Sequence, residues 1–439
     1  MKKLNILCWM LAAALLLSGC ALRTVDEMYQ LPRRSETDNH LQSAIEQAML
    51  NLDYAAPIAG DNQQTVQSAD LTGDGALEYV VFARDSVNKA IRVLIFSQVE
   101  KDIQLLSVIE SHGSAFEQVE YVNVDDQPGL EMVVGRQVSD QVLRSLSVYS
   151  FASGTPEQLI TANYLKFLTC DLNEDGNIEI MLIQPGETDA DRGTAALYSF
   201  TDGDMSRSRE VELSVSGYSI KRILRSRLHS GEPAVYVASS LDESAIITDV
   251  FALKEEKFSN ISVSNESGTS VQTLRNYYVY ADDIDSDGVL ELPSVITMHP
   301  IRTSTSTEQQ YLIRWFDLDL QGKEETKRYT FHNYVGGWYL ELGDGWAERV
   351  SVAKVGSTYW FYVWDAWFEK AEPVFSVHVL SGVDREELAT SENRFELLRT
   401  DAVIYAARLE KGAADLKITQ EDLNPCFHLI HQAWKTGET

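Results

Sequence analysis

Basic residues are scarce in this chain. Lys and Arg number 37 against 66 Asp and Glu, a formal net charge of −29 over 439 residues. Nucleic acid is thereby excluded as the main partner, because phosphate binding needs basic patches. Polybasic attachment to an anionic membrane surface is excluded on the same ground. Cysteine is scarce too: four residues are too few for a disulfide scaffold. The signs of disorder are missing, since 44% of residues are hydrophobic and 23% charged. Catalytic signatures are also missing. There is no Gly-x-Ser-x-Gly, no His-Glu-x-x-His, no P-loop and no dinucleotide fingerprint. Paired carboxylates identify nothing in so acidic a chain, and a triad scattered in sequence leaves no local mark. No local motif therefore indicates an enzyme. At roughly 150 residues per domain, the length asks for two or three domains.

What is present begins at the N-terminus. Lys2 and Lys3 precede twelve consecutive apolar residues, Ile6 to Leu17. That length suits a signal-peptide core and is too short to span a bilayer. The run ends in Leu17-Ser18-Gly19-Cys20, which resembles the lipobox of bacterial lipoproteins. The resemblance implies a signal peptide over 1–19, cleavage before Cys20 and a diacylglycerol on its thiol. It places the protein outside the cytoplasm, anchored by lipid to a bacterial membrane. Two acyl chains suffice, at about 0.8 kcal/mol per buried CH₂. Cleavage removes two lysines and no acid, leaving 35 basic against 66 acidic residues, a net charge of −31. Cys8 leaves with the signal peptide. Cys170 and Cys426, each among apolar neighbours, read as two separately buried thiols rather than a disulfide.

A polar tether follows over 20–37, then an N-terminal helix and lead-in over 38–64. Leu41, Ala44, Ile45, Ala48 and Met49 fall at helical spacing from about Asp38 to Leu50, with Thr37 or Asp38 as cap. From 65 to 334 one unit recurs: a strand, a nine-residue acidic loop and a β-rich run. The loops begin at Asp70, Asn123, Asp171 and Asp283, so the gaps are 53, 48 and 112. The last gap is two periods. A worn copy belongs near 226, where Glu232 is the remaining acid and Ala234–Val237 the expected strand. Further strands are expected over Ile91–Gln98, Ile103–Ile109, Ala195–Phe200 and Arg209–Val215. Four strands per unit of roughly 50 residues is the pattern of propeller blades. The fold class expected is mainly β: a β-propeller-like region of about five blades, followed by a smaller α+β domain over 335–439.

The loops carry the chemistry. Their first, third, fifth and ninth positions are Asp70, Thr72, Asp74 and Glu78; Asn123, Asp125, Gln127 and Glu131; Asp171, Asn173, Asp175 and Glu179; and Asp283, Asp285, Asp287 and Glu291. Oxygens so spaced in a tight turn can converge on one Ca²⁺, which takes 6–8 of them. Gly75, Gly176 and Gly288 at the sixth position allow the bend, where the second loop has Pro128. An EF-hand is excluded, because position 12 is not Glu and β-type runs follow. Asp, Asn and Gly also favour plain turns, and for the Asn123 loop that reading is preferred. The Asp283 set is the best calcium site, with the Asp171 and Asp70 sets next. The repeat resembles the FG-GAP or VCBS repeats of integrin-α-like propellers over about 65–331. The resemblance implies structural calcium on one face of the propeller and ligands on the opposite face.

Six of the eight Trp lie between Trp338 and Trp434. Strands are expected over Trp338–Leu342, Arg349–Ala353, Tyr359–Trp364, Val374–Leu380 and Ala402–Leu409, then a closing helix from Pro425 to Trp434 capped by Asn424. Trp360, Trp364 and Trp367 read as packing rather than a sugar- or peptide-binding face. His428 and His431 alone do not make a zinc site. The leading function is a lipid-anchored binding or interaction protein of the cell envelope, with a protein or glycan partner and no nucleic acid. The alternatives are an envelope hydrolase with its site in the C-terminal domain or on the propeller axis, and an architectural component.

Overall fold

The structure, a computed structural model, describes residues 36–100, 102–138, 144–242, 244–255, 257–276, 279–301, 309–365 and 370–430. The signal peptide, Cys20, nearly all of the tether, Trp367, His431 and Trp434 lie outside those residues. No helix among the described residues is long and apolar enough to cross a membrane.

Six antiparallel sheets follow one another along the chain. The first has strands Val66–Ala69, Glu78–Asp85, Ile91–Val99 and Asp102–Ser111, with Leu52–Tyr54 sharing the open edge of the second strand. The second runs Ala115–Val122, Glu131–Gln137, Arg144–Ser150 and Glu157–Tyr164. The third runs Lys166–Cys170, Glu179–Gln184, Thr194–Thr201 and Asp204–Glu212. The fourth runs Ile220–Arg227, Pro233–Ser240, Ile246–Lys254 and Lys257–Asn260. In the fifth, a bridge from Asp282 to Glu291 leads into Leu292–Thr297, Tyr311–Leu318, Glu324–Asn333 and Trp338–Leu342. The sixth holds Val350–Val355, Thr358–Asp365, Lys370–Ser381, Val403–Leu409 and Phe395–Arg399. The first five sheets are a propeller-type succession built on four-strand meanders, as the repeat length implies, while in the sixth Val403–Leu409 lies between Lys370–Ser381 and Phe395–Arg399.

Burial explains the strand sequences. The second strand of a sheet is buried on both faces, so it is a continuous apolar run: Val80, Val81, Phe82 and Ala83 are all fully buried. The fourth strand faces water: in Asp102–Ser111 only Ile103, Ile109 and Ser111 are buried. Neighbouring sheets share cores. Val80 and Phe82 pack with Phe116 and Met132 of the second sheet. Val235 and Phe251 of the fourth pack with Met181 and Leu197 of the third. A register shift recurs between the third and fourth strands of the first three sheets at Ile95/Phe96, Val148/Tyr149 and Leu197/Tyr198, and between Tyr311–Leu318 and Glu324–Asn333 of the fifth at Trp315/Phe316. The sixth sheet has a comparable shift at Phe361/Tyr362 opposite Pro373. That suits proline, which cannot donate to a ladder and settles at bulges.

The two ends of the stack are covered by helices. Helix α1 (Glu36–Ala48) lays Leu41, Ala44, Ile45 and Ala48 on Val81, Ala83, Leu94 and Phe96 of the first sheet. It begins at Glu36, so the expected caps Thr37 and Asp38 fall in its first turn. Helix α2 (Arg385–Thr390) sets Ala389 against Leu380, Ile404 and Ala406 of the sixth sheet. No shared core among the described residues joins the first sheet to the sixth. A repeat cannot bury its outer apolar face alone, and here helices do so at both ends.

The C-terminal third needs two corrections. The boundary at 334/335 falls in a turn of the fifth sheet, because Trp338–Leu342 pairs with Glu324–Asn333. The fifth and sixth sheets share one core containing Phe331, Trp338, Tyr359, Phe361 and Phe375. The expected closing helix is not formed over its first half. Asn424–Cys426 is one 3₁₀ turn, and Phe427–Leu429 is a strand paired with Trp338–Leu342. The reason is the open edge of that strand: Phe427 stacks on Trp338 at 5.3 Å, and His428 on Tyr339 at 4.8 Å. Cys170 and Cys426 are both free thiols, the first buried and the second half-buried. Trp364 stacks on His299, and Arg408 lies over Trp360, which fits packing.

Candidate metal centre

The four acidic segments are the first hairpin turns of sheets one, two, three and five. In each, the buried glutamate at the ninth position reaches back along the turn. Its Oε2 accepts the second residue's N–H: Leu71 to Glu78 at 2.9 Å, Val124 to Glu131 at 2.9 Å, Leu172 to Glu179 at 2.8 Å, Ile284 to Glu291 at 2.9 Å. The glutamate is therefore a brace whether or not an ion is bound.

Three of the turns share a further set of bonds. The glycine N–H at the sixth position donates to the first aspartate: Gly75 to Asp70, Gly176 to Asp171 and Gly288 to Asp283, at 3.0–3.1 Å. The seventh N–H donates to the fifth aspartate at 2.8 Å in Asp74, Asp175 and Asp287 alike. Their fourth positions, Gly73, Glu174 and Ser286, and their sixth-position glycines all have positive φ. A side chain at the sixth position would be strained there, which explains the glycines. The Asn123 turn differs. Pro128 has no N–H to give, none of its residues has positive φ, and Asn123 Nδ2 donates to the Gln127 carbonyl instead.

Oxygens without partners mark where a cation fits. Asp285 Oδ1 and Glu291 Oε1 are buried and accept no hydrogen bond, as is Asp171 Oδ1 in the third sheet. One oxygen from each of Asp283, Asp285 and Asp287 lies within 4.8 Å of the others. Burial, then Asp285, Asp287 and Asp283, push the Glu291 carboxyl up to about 8 against the bond from Ile284. Burial, with Asp175 and Asp171, pushes Glu179 up to about 7. These are hard oxygen donors crowded by like charge, which a divalent cation relieves. The Asp283 set fits best and the Asp171 set next. In the Asp70 set, as in the Asp283 set, both oxygens of the first aspartate accept N–H groups, here from Gly73 and Gly75, but no buried oxygen of the Asp70 set is left without a partner. Glu78 there takes Leu71, Thr72 and Ser97, so this set is the most self-sufficient of the three.

The turns lie side by side along one edge of the stack and are bonded in series. Leu130 N donates to the Asp70 carbonyl at 3.0 Å, and Ile178 N to the Asn123 carbonyl at 2.8 Å. Sequence reasoning missed one member of the series. In the worn copy the buried Leu228 stands in register with Leu71 and Leu172, so Arg227 occupies the place of the first acid. Its Nη1 donates to the Gly231 carbonyl at 2.6 Å and to Glu174 Oε1 at 2.8 Å. A cationic side chain from this turn thus meets an acid of the turn before it. The pairing of a residue with Leu, as in Asp70-Leu71 and Asp171-Leu172, was the signal that could have found it.

No family model matches the chain. No curated protein matches it either. Among solved structures it is similar to the exotype rhamnogalacturonan lyase YesX, at 10% identity and TM-score 0.31, over 74% of this chain and 69% of that one. It is similar to the β-propeller domain of the Trilobed protease from Pyrococcus furiosus, at 12% identity and TM-score 0.28, over 72% and 89%. The rhamnogalacturonan lyase of Bacillus licheniformis gives 10% identity and TM-score 0.30, over 73% and 72%. Likeness at this level carries no functional argument. The fold is established by the sheets themselves.

Proposed function

We propose that this is a lipid-anchored, extracytoplasmic binding protein whose stack of sheets is braced by calcium in the Asp283 and Asp171 turns, with a weaker site at Asp70. The observation that supports the calcium most is the orphaned pair Asp285 Oδ1 and Glu291 Oε1 beside Asp283 and Asp287. The ligands are Asp283, Asp285, Asp287 and Glu291; Asp171, Asn173, Asp175 and Glu179; and Asp70, Thr72, Asp74 and Glu78. The ion's role is structural: it offsets carboxylates at a hairpin corner. The anchor rests on the Cys20 motif, and the partner is an envelope protein or glycan. Among the described residues, the serine–imidazole pair the hydrolase alternative can draw on is Ser376 Oγ and His378 Nε2 at 3.0 Å. Ser376 is fully buried and faces no substrate.

Thermal melting in calcium and in EDTA tests the brace. A site with a dissociation constant near 10⁻⁴ M adds about 1.8 kcal/mol at roughly 2 mM calcium. The wild type should therefore melt a few degrees higher in calcium, and Asp285→Ala should lose that increment. Equal melting with and without calcium, in wild type and Asp285→Ala alike, sinks the reading. For the anchor, Cys20→Ala should move the protein from the membrane to the soluble fraction.

A further inference from the structure

The glutamate that braces each acidic turn has a fixed neighbour across its sheet. Tyr79 pairs with Phe96, Met132 with Tyr149 and Ile180 with Tyr198, so Glu78, Glu131 and Glu179 stand opposite Ser97, Ser150 and Ser199. Ser97 Oγ donates to Glu78 Oε1 at 3.1 Å, and the Ser150 hydroxyl donates to the Glu131 carboxylate. In the fifth sheet Leu292 pairs with Phe316, so the residue opposite Glu291 is Asp317. An aspartate thus stands where three turns have a serine. A carboxylate has no hydrogen to give, and Glu291 Oε1 is left without a partner.

Asp317 and Glu291 are both fully buried. Asp317 Oδ1 accepts no hydrogen bond, while Oδ2 has Lys327 Nζ at 3.2 Å and His229 Nδ1 at 3.1 Å. Lys327 comes from the next strand, Glu324–Asn333, and His229 from the worn turn of the fourth sheet. Directly opposed residues of an antiparallel pair hold their Cβ atoms about 4.5–5.5 Å apart. Both carboxylates bear on one neighbour: burial, then Asp317 and Glu291, push the Tyr236 phenol up. Two carboxylates so close and out of water repel each other, and a divalent cation in the turn relieves that repulsion. Calcium affinity follows the negative charge gathered at a site. We infer that Asp317 makes the Asp283 turn the tightest of the calcium sites: a second buried carboxylate beside Glu291 raises the affinity, and Lys327 holds that gain in check. Asp317 acts through Glu291, so it is a positioning residue. The inference rests on the calcium reading of this turn.

Calorimetric calcium titration of the full chain tests it, with Asp285→Ala identifying the binding step that belongs to this turn. Asp317→Ser gives Glu291 the hydroxyl that Glu78 has, and should weaken that step about tenfold. Lys327→Gln leaves Asp317 unopposed, and should tighten the step about threefold or more. The opposed signs separate this role from a merely structural one, in which both variants weaken binding, and melting curves in EDTA show that each is folded. If the wild type has no step that Asp285→Ala removes, the calcium reading fails and the inference with it. If the step is there, the inference is overturned when Asp317→Ser leaves its dissociation constant within about twofold, or when both variants shift it in the same direction. Should Asp317→Ser not fold, Lys327→Gln decides alone, and a constant that does not tighten overturns the inference.

Discussion

Replacing Asp249 with alanine is expected to destabilise the protein by about 3 kcal/mol or more, seen as a lower urea midpoint. Asp249 is fully buried in the third strand of the fourth sheet. Its carboxylate accepts the Ser214 backbone N–H at 2.8 Å, Asn260 Nδ2 at 2.8 Å, Ser270 Oγ at 2.6 Å and the Ser214 hydroxyl. The network continues from Ser270 Oγ to Ser262 Oγ at 2.8 Å. It therefore ties three pieces together: the connection out of the third sheet, the fourth sheet itself and the long connection that leads to the Asp283 turn. Alanine strands several buried donors at once, and that cost exceeds the net worth of any one bond. Asp249→Asn should cost less, because it retains one acceptor oxygen. A loss below about 1 kcal/mol for the alanine variant contradicts this account.

Acidification from pH 7 to pH 5 is expected to cost about 2 kcal/mol through His332 alone. Burial pushes this imidazole down to about 3, against about 6.5 in an unfolded chain. Between those values the unfolded state binds more protons. The contribution is therefore present above about 6.5 and lost as pH falls toward 3. His332 is held by Thr330 Oγ1 at 2.9 Å on Nε2 and the Tyr334 hydroxyl at 3.3 Å on Nδ1. Trp315 Nε1 donates to Thr330 Oγ1 at 2.7 Å, so the hydroxyl has its own hydrogen to give to Nε2. His378 adds to the same limb, since burial and then Arg394 and Arg408 lower it to about 4. Glu179 and Glu291 have the opposite sign. Their contribution is present below about 4.5 and lost as pH rises through about 7 and 8, so a decline on the alkaline side is expected in EDTA. His332→Gln should be less stable than wild type at pH 7 but should lose the decline toward pH 5. Parallel pH profiles for the two proteins would overturn the assignment to His332.

The repeat was legible because its cause is local. A turn that bends through left-handed φ at Gly75, Gly176 and Gly288 and braces itself on a glutamate at its ninth position must repeat those residues at those spacings. The strands beside it must be apolar on both faces because neighbouring sheets cover both. Where the local signal was worn, the reading stopped short. Arg227 in place of an acid was invisible until Leu228 was seen in the same buried position as Leu71 and Leu172. The segment Cys426–Leu429 looked helical behind Asn424 and Pro425. Its state is set by the open edge of Trp338–Leu342 far away in the chain, which no local pattern reports.

The sequence by itself determined the four-strand unit, its period, the apolar face of α1 and which turns concentrate carboxylates. These depend on residues within a few turns of one another. Only the tertiary structure decided that Trp338 belongs to the fifth sheet and that helices cover both ends of the stack. It alone decided that the oxygens of Asp283, Asp285 and Asp287 converge, and that Asp285 Oδ1 and Glu291 Oε1 are buried without a partner. Those features depend on which atoms are left without a partner, and partners in a folded chain are chosen by packing across long sequence distances. The opening charge deficit is resolved in the same way. Of the 66 acids, 14 lie in the four turns, where geometry gathers them.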